Sequence, residues 1–365
     1  MALKCGIVGL PNVGKSTLFN CLSKAKAQSA NFPFCTIEPN IGIISVPDDR
    51  LEALSEIVTP ERVMPTTVEI VDIAGLVKGA SKGEGLGNKF LGNIRETNAI
   101  IHVLRCFDDD NIIHVDGSVN PVRDKEIIDM ELQLKDLEAL EKLRDKNVRT
   151  AKSGDKLAQK IITTTKKYIE HLEAGNSARS VAATQEELEI INTLDLITAK
   201  PVLYVCNIDE ASIKTGNKYV DAVKTAVKNE DAEVILIASA IEAEIAELED
   251  AEEQKMFLEE LGLKKPGVHY LIQSTYKLLK LQTYFTAGVK EVRAWTITKG
   301  TKAPQAAAVI HTDFEKGFIR AEVMAYNDYV TLGSEQSCKD NGKLSVEGKD
   351  YIVQDGDIMH FRFNV

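Results

Sequence analysis

Short, β-branched apolar runs punctuate the first two-thirds of the chain, at residues 5–8, 67–72, 99–105, 202–206 and 234–237. Continuous apolar runs, rather than apolar–polar alternation, are what strands covered on both faces require. With the helix-length segments between them, they predict a largely parallel sheet with helices on both sides, an α/β class. The gap between the third and fourth runs is too long for one crossover. Within it Leu134, Leu137 and Leu143, then Leu157, Ile161, Tyr168 and Leu172, fall near helical spacing, and Ala174-Gly175-Asn176-Ser177 marks a stop. An inserted, coiled-coil-like helical hairpin is expected over 140–184; its charged exterior is more often a solvated face than a docking face. After residue 281 the texture changes, and 292–297, 306–310, 351–353 and 358–363 read as strands divided by Gly, Asn and Asp turns. The expected layout is an α/β domain in two parts, 1–139 and 185–278, interrupted by the hairpin at 140–184 and followed by a β-rich domain at 279–365.

Composition narrows this picture without changing it. A chain of 365 residues exceeds the usual single-domain size, so two or three units are expected. No run approaches the roughly 18 to 20 apolar residues that cross a bilayer, and the first residues enter a strand pattern with no cleavable signal. A cytoplasmic monomer without membrane attachment is the expectation. The six cysteines, Cys5, Cys21, Cys35, Cys106, Cys206 and Cys338, form no C-x-x-C pair, which argues against a disulfide framework or a zinc site. A formal net charge of −11 excludes a protein that coats itself in nucleic acid through overall charge, although a local basic face is still compatible with it.

The chemistry concentrates at the first apolar run. Gly9-Leu10-Pro11-Asn12-Val13-Gly14-Lys15-Ser16 matches G-x-x-x-x-G-K-[ST] and lies between a strand pattern and a helix beginning near Thr17. The glycines allow a tight turn whose N–H groups point inward at phosphate oxygens beside a helix N-terminus. Lys15 is expected to bridge the β- and γ-phosphates and to act in catalysis, and the Ser16 hydroxyl to ligate Mg²⁺. Asn12, Val13, Gly14, Lys15, Ser16 and Thr17 are therefore candidate nucleotide-binding residues. Asp72, at the end of the second run and followed by Ile73-Ala74-Gly75, supplies a carboxylate on the metal side. Thr36 is placed as a further Mg²⁺ ligand, and Gly75 and Leu76 open a glycine-rich switch. Leu76 stands where many GTPases carry a water-orienting Gln, and leucine cannot hydrogen-bond water.

Guanine is read in GTPases by Asn-Lys-x-Asp after a later strand. Here Asn207-Ile208-Asp209-Glu210 loses the lysine and carries the longer Glu210 at the aspartate position, so the guanine clamp is compromised. Adenine presents an acceptor at N1 that a carboxylate repels, so an adenine site needs backbone groups. Asp209 and Glu210 also suit an ordinary helix start.

Taken together, residues 9–16, Asn31-Phe32-Pro33-Phe34-Cys35-Thr36-Ile37-Glu38-Pro39-Asn40, Asp72-Ile73-Ala74-Gly75-Leu76-Val77-Lys78-Gly79-Ala80, and Asn207 with Glu210 closely resemble the YchF or Obg-like ATPase family of P-loop proteins. Residues 311–322, His-Thr-Asp-Phe-Glu-Lys-Gly-Phe-Ile-Arg-Ala-Glu, resemble the signature of that family's C-terminal TGS domain, a ubiquitin-like β-grasp module. The resemblance spans essentially the whole chain. It implies Mg²⁺-dependent hydrolysis of ATP, in preference to or alongside GTP, with the ribosome and its RNA as partners. It further implies a base site formed by Asn207, Ile208, Glu210, Ser239 and Ala240, and a histidine, His114, in place of the missing Gln. A lone histidine in such a loop is otherwise more often structural. Asn12 resembles the P-loop asparagine of potassium-activated relatives, which adds K⁺ as a candidate cofactor. Lys299, Lys302, Lys316 and Arg320 are candidate RNA phosphate contacts and Tyr326 and Tyr329 stacking faces, although scattered surface charge is the commoner meaning of such residues. The rivals are a GTP-dependent or nucleotide-gated binding module with negligible turnover, and a small-molecule kinase, which needs an Arg-rich lid that is not visible.

Overall fold

A computed structural model describes residues 3–29, 41–73, 86–248 and 250–364. Thr36, Gly75 and Leu76 lie outside the described residues. The described strands, in chain order, are β1 (Lys4–Val8), β2 (Ile41–Ser45), β3 (Arg62–Met64), β4 (Thr67–Asp72), β5 (Ala99–Arg105), β6 (Val202–Asn207), β7 (Glu233–Ile237), β8 (Leu281–Ala287), β9 (Glu291–Thr298), β10 (Phe318–Ala325), β11 (Leu344–Glu347) and β12 (Asp357–Phe363). The chain divides into two compact units, one of Met1–Gly42 with Glu69–Leu271, the other of Ile43–Val68 with Ile272–Val365.

One six-stranded sheet has the order β2-β4-β1-β5-β6-β7. The pairs β1–β4, β1–β5, β5–β6 and β6–β7 are all parallel. Every residue of β5 and β6 is buried, as the continuous apolar runs require of strands covered on both faces. Order reverses around β1, so the carboxyl ends of β1, β4, β5 and β6 open on one crevice, where ligands of such sheets bind.

The hairpin begins earlier than its periodicity indicates. Its first helix is Pro121–Lys152, capped by Asn120 accepting from Arg123 N with Pro121 in the first turn; its second is Lys156–Glu173, capped by Asp155. Leu140, Tyr168, Ile169 and Leu172 pack with Ala178, Ile191 and Leu196. The helical pair thus belongs to the first unit rather than forming a separate body. Its foot is held by Asp136, fully buried, which accepts from Ile197 N (2.8 Å), Thr198 N (2.7 Å) and Thr198 Oγ1 (2.7 Å).

The second unit carries the sheet β11-β10-β12-β8-β9-β3. The β8–β9 hairpin is antiparallel, β12 runs parallel to β8, and the helix Ala303–Ile310 packs across one face, giving the expected β-grasp. Alternation along β8 decides the packing: Tyr284 joins Ala303, Ala306, Ala307 and Phe361 on one face, while Phe285 joins Leu51, Leu54, Val292 and Ile358 on the other.

Three expectations are corrected. Residues 306–310 are helical rather than a strand, because a short apolar run with three alanines behind Pro304 satisfies a buried helix equally well. Residues 351–353 form only an isolated bridge, Lys302 with Ile352. Residues 43–68, assigned to the nucleotide domain, belong to the second unit. The helix Asp49–Val58 seats Leu51 and Leu54 against Phe285, and β3 pairs in parallel with β9.

Candidate functional site

The phosphate loop is built on backbone conformations that only its own residues tolerate. Gly9 has φ +155°, and a Cβ there would stand 2.5 Å from the Val103 carbonyl oxygen; Gly14 has φ +95°, and its Cβ would stand 2.2 Å from Asn207 Nδ2. Asn12 adopts a left-handed φ of 62°, which asparagine accepts more readily than most residues. The loop feeds directly into the helix Lys15–Ser29, whose first turn carries no acidic residue, so the positive end of its dipole is left for an anion.

Lys15 is buried and its Nζ donates to the Leu10 carbonyl at 2.7 Å, folding the ammonium over the loop. Burial lowers its pKa to about 8, while the Asp72 carboxylate opposes the shift. Asp72 closes β4; burial pushes its carboxyl up and Lys15 pulls it down. Its Oδ1 is buried with no hydrogen-bond partner among the described residues. A desolvated carboxylate oxygen beside a phosphate loop fits a hard divalent cation such as Mg²⁺. Ser16 and Thr17 are exposed at the start of the helix, with Ser16 on the same loop as a second oxygen donor.

The base segment is joined to this loop through Asn207. Asn207 is buried; its Nδ2 donates to the Val13 carbonyl (2.9 Å) and its Oδ1 accepts from Ser239 N (3.0 Å). Both ends of the amide therefore join the phosphate loop to β6 and to the helix Ser239–Ile245. Ile208 is buried and its N–H donates to the Ile237 carbonyl. Asp209 caps a short 3₁₀ turn, accepting from Ser212 N at 3.0 Å, whereas Glu210 and Ala240 are exposed. The Ser239 hydroxyl is buried and unpartnered among the described residues.

His114 is also buried. Its Nε2 lies 2.8 Å from Asp124 Oδ2 and its Nδ1 accepts from Asp116 N at 3.1 Å, so the Nε2–H tautomer donates to Asp124. Both nitrogens are engaged inside the turn. Three residues escaped the sequence reading: Asp124, which orients that imidazole; Asn217, whose Nδ2 donates to the Cys106 carbonyl; and Arg105, whose guanidinium donates to the carbonyls of Phe107, Asp109 and Ile112. The one available signal was an arginine closing a strand that is apolar except for His102. Among the described residues no helix is long and apolar enough to cross a membrane.

A parallel sheet carrying this strand–loop–helix, with a buried lysine folded over the loop and an aspartate ending the neighbouring strand, defines a P-loop nucleoside triphosphatase. Relatives match from end to end: the ribosome-binding ATPase YchF of Haemophilus ducreyi is 58% identical over 365 residues, and that of Bacillus subtilis 54% over 367, each alignment covering all of both chains. The chain belongs to the YchF family. Residues 4–148 match the MMR_HSR1 model, described as a 50S ribosome-binding GTPase, and 281–364 match YchF-GTPase_C, described as a protein of unknown function. The solved YchF GTPase of Schizosaccharomyces pombe superposes with a TM-score of 0.89 at 41% identity, over 99% of this chain and 97% of that one.

Proposed function

We propose that this protein hydrolyses ATP to ADP and inorganic phosphate in a Mg²⁺-dependent reaction, and that the nucleotide state governs its binding to the ribosome. The observation that carries the reading is Lys15 folded over a glycine-shaped loop, with a buried Asp72 oxygen that has no hydrogen-bond partner among the described residues. The end-to-end relatives named ribosome-binding ATPases give the nucleotide and the partner. Loop N–H groups and the Lys15 ammonium neutralise charge on the transferring phosphoryl group, whose acceptor is water. Ser16, Thr36 and Asp72 would hold Mg²⁺, which would supply neutralisation of the charge on the phosphoryl oxygens. K⁺ beside Asn12 belongs to the same reading.

Adenine is favoured because the guanine clamp is absent in chemistry: Ile208 is buried, Asp209 is committed to Ser212, and only the longer Glu210 is free. The water-orienting role falls to His114, which reaches the site by leaving Asp124. Dissociation constants for ATP and GTP on nucleotide-free protein test the base, and tighter GTP binding sinks the adenine reading. Phosphate release with and without ribosomes tests the switch. A GTP-driven module of negligible turnover is the second reading, favoured by the exposed Glu210 carboxylate; it predicts the opposite affinity order and no phosphate release.

A further inference from the structure

The segment following β5 is held against the phosphate loop by a device that neither ordinary packing nor the nucleotide chemistry explains. Arg105 is 1% exposed, yet among the described residues no carboxylate pairs with it. Its Nε donates to Phe107 O (3.2 Å), Nη1 to Ile112 O (2.8 Å) and Nη2 to Asp109 O (3.1 Å), and its Cζ lies 4.8 Å from the Phe107 ring centroid. A buried guanidinium whose partners among the described residues are all neutral carbonyls is an expensive way to fill space that a methionine would fill, so its worth lies in what it holds. What it holds is a segment with little apolar packing of its own: no residue of 107–113 is buried, and Ile113 is 78% exposed. The far end of that segment reaches the phosphate loop, where Asn12 Nδ2 donates to the Ile113 carbonyl at 3.1 Å. The next residue is His114.

The geometry points to Arg105 as a positioning residue for the hydrolytic reaction. Its fork shapes residues 107–112 so that Ile113 latches onto Asn12 and His114 is carried at a fixed distance from the phosphates. The latch makes access of His114 to the site a side-chain rotation instead of a loop closure, because the backbone ordering is already complete in the folded protein. A lysine cannot reproduce it, since one ammonium does not span three carbonyls in a plane.

The test uses the full chain. Arg105→Met is expected to stay folded and to bind ATP with a Kd within about threefold of the parent, while kcat falls roughly 10- to 100-fold. In nucleotide-free protein, amides of residues 109–114 should exchange at least about tenfold faster, with β5 amides unchanged. Arg105→Lys should give the same phenotype in weaker form. Asn12→Gly, which accepts the left-handed φ of this exposed position and removes only the amide donor, should loosen the same amides and lower kcat, and the double variant should be no worse than Arg105→Met alone. Unchanged exchange at 109–114 in both Arg105→Met and Asn12→Gly overturns the latch, as does a kcat of Arg105→Met within twofold of the parent or above it. A Kd that rises in step with the loss of kcat overturns it too. The kcat arm rests on the ATP-hydrolysis reading; absent turnover in the parent defeats that reading, while the exchange arm still decides the latch.

Discussion

Asn207→Ala distinguishes a base-reading asparagine from a structural bolt. The substitution removes the donor to Val13 O and the acceptor from Ser239 N, and Val13 and Ser239 are 1% and 2% exposed. Two buried backbone groups lose their partners, each at about 1–3 kcal/mol; water entering the vacated space recovers part, leaving about 2–4 kcal/mol of local destabilisation. At about 1.4 kcal/mol per decade this becomes roughly 30- to 900-fold faster amide exchange at the phosphate loop, the end of β6 and the helix Ser239–Ile245 in nucleotide-free protein. ATP and GTP affinities should fall together, because the loop that grips the phosphates is loosened whatever the base. Protection factors within threefold of the parent would refute this account. A changed ATP-to-GTP ratio with protection intact would make Asn207 a base reader after all.

Three further outcomes follow from the same geometry. Lys15, held at about 8 by burial, loses its proton as pH rises through that value, so ATP affinity measured by isothermal titration should fall above pH 8, approaching tenfold per pH unit; because its folded pKa lies below the unfolded value, the nucleotide-free fold gains stability between pH 8 and about 10.5, where the unfolded chain binds more protons. Asp72→Asn should weaken ATP binding in Mg²⁺ by about tenfold or more yet leave the affinity measured in EDTA nearly unchanged, since the carboxylate serves the cation. Leu54→Ala, at a fully buried position of the second unit, should cost about 2–5 kcal/mol and speed exchange in β8 and β12 while sparing β1 and β5, as expected if residues 43–68 fold with the C-terminal unit.

The amino-acid sequence by itself determined the elements whose physics is local. The phosphate loop is legible because strand, glycine turn, lysine and helix must be contiguous, and β1, β5 and β6 because strands buried on both faces need mainly apolar runs. Where a run is short and alanine-rich, as at 306–310, local physics does not choose between helix and strand, and the sheet it packs on makes the choice. Non-local pairing decided the rest. β3 joins β9 across more than two hundred residues, which no period in the sequence announces, and so 43–68 leave the domain that surrounds them in the chain. The same holds at the site. Asn207 and Arg105 are ordinary polar residues at strand ends until folding brings the Val13 carbonyl to one and three loop carbonyls to the other, and hydrogen-bond partners separated by 194 residues, as Asn207 and Val13 are, exist only in the tertiary structure.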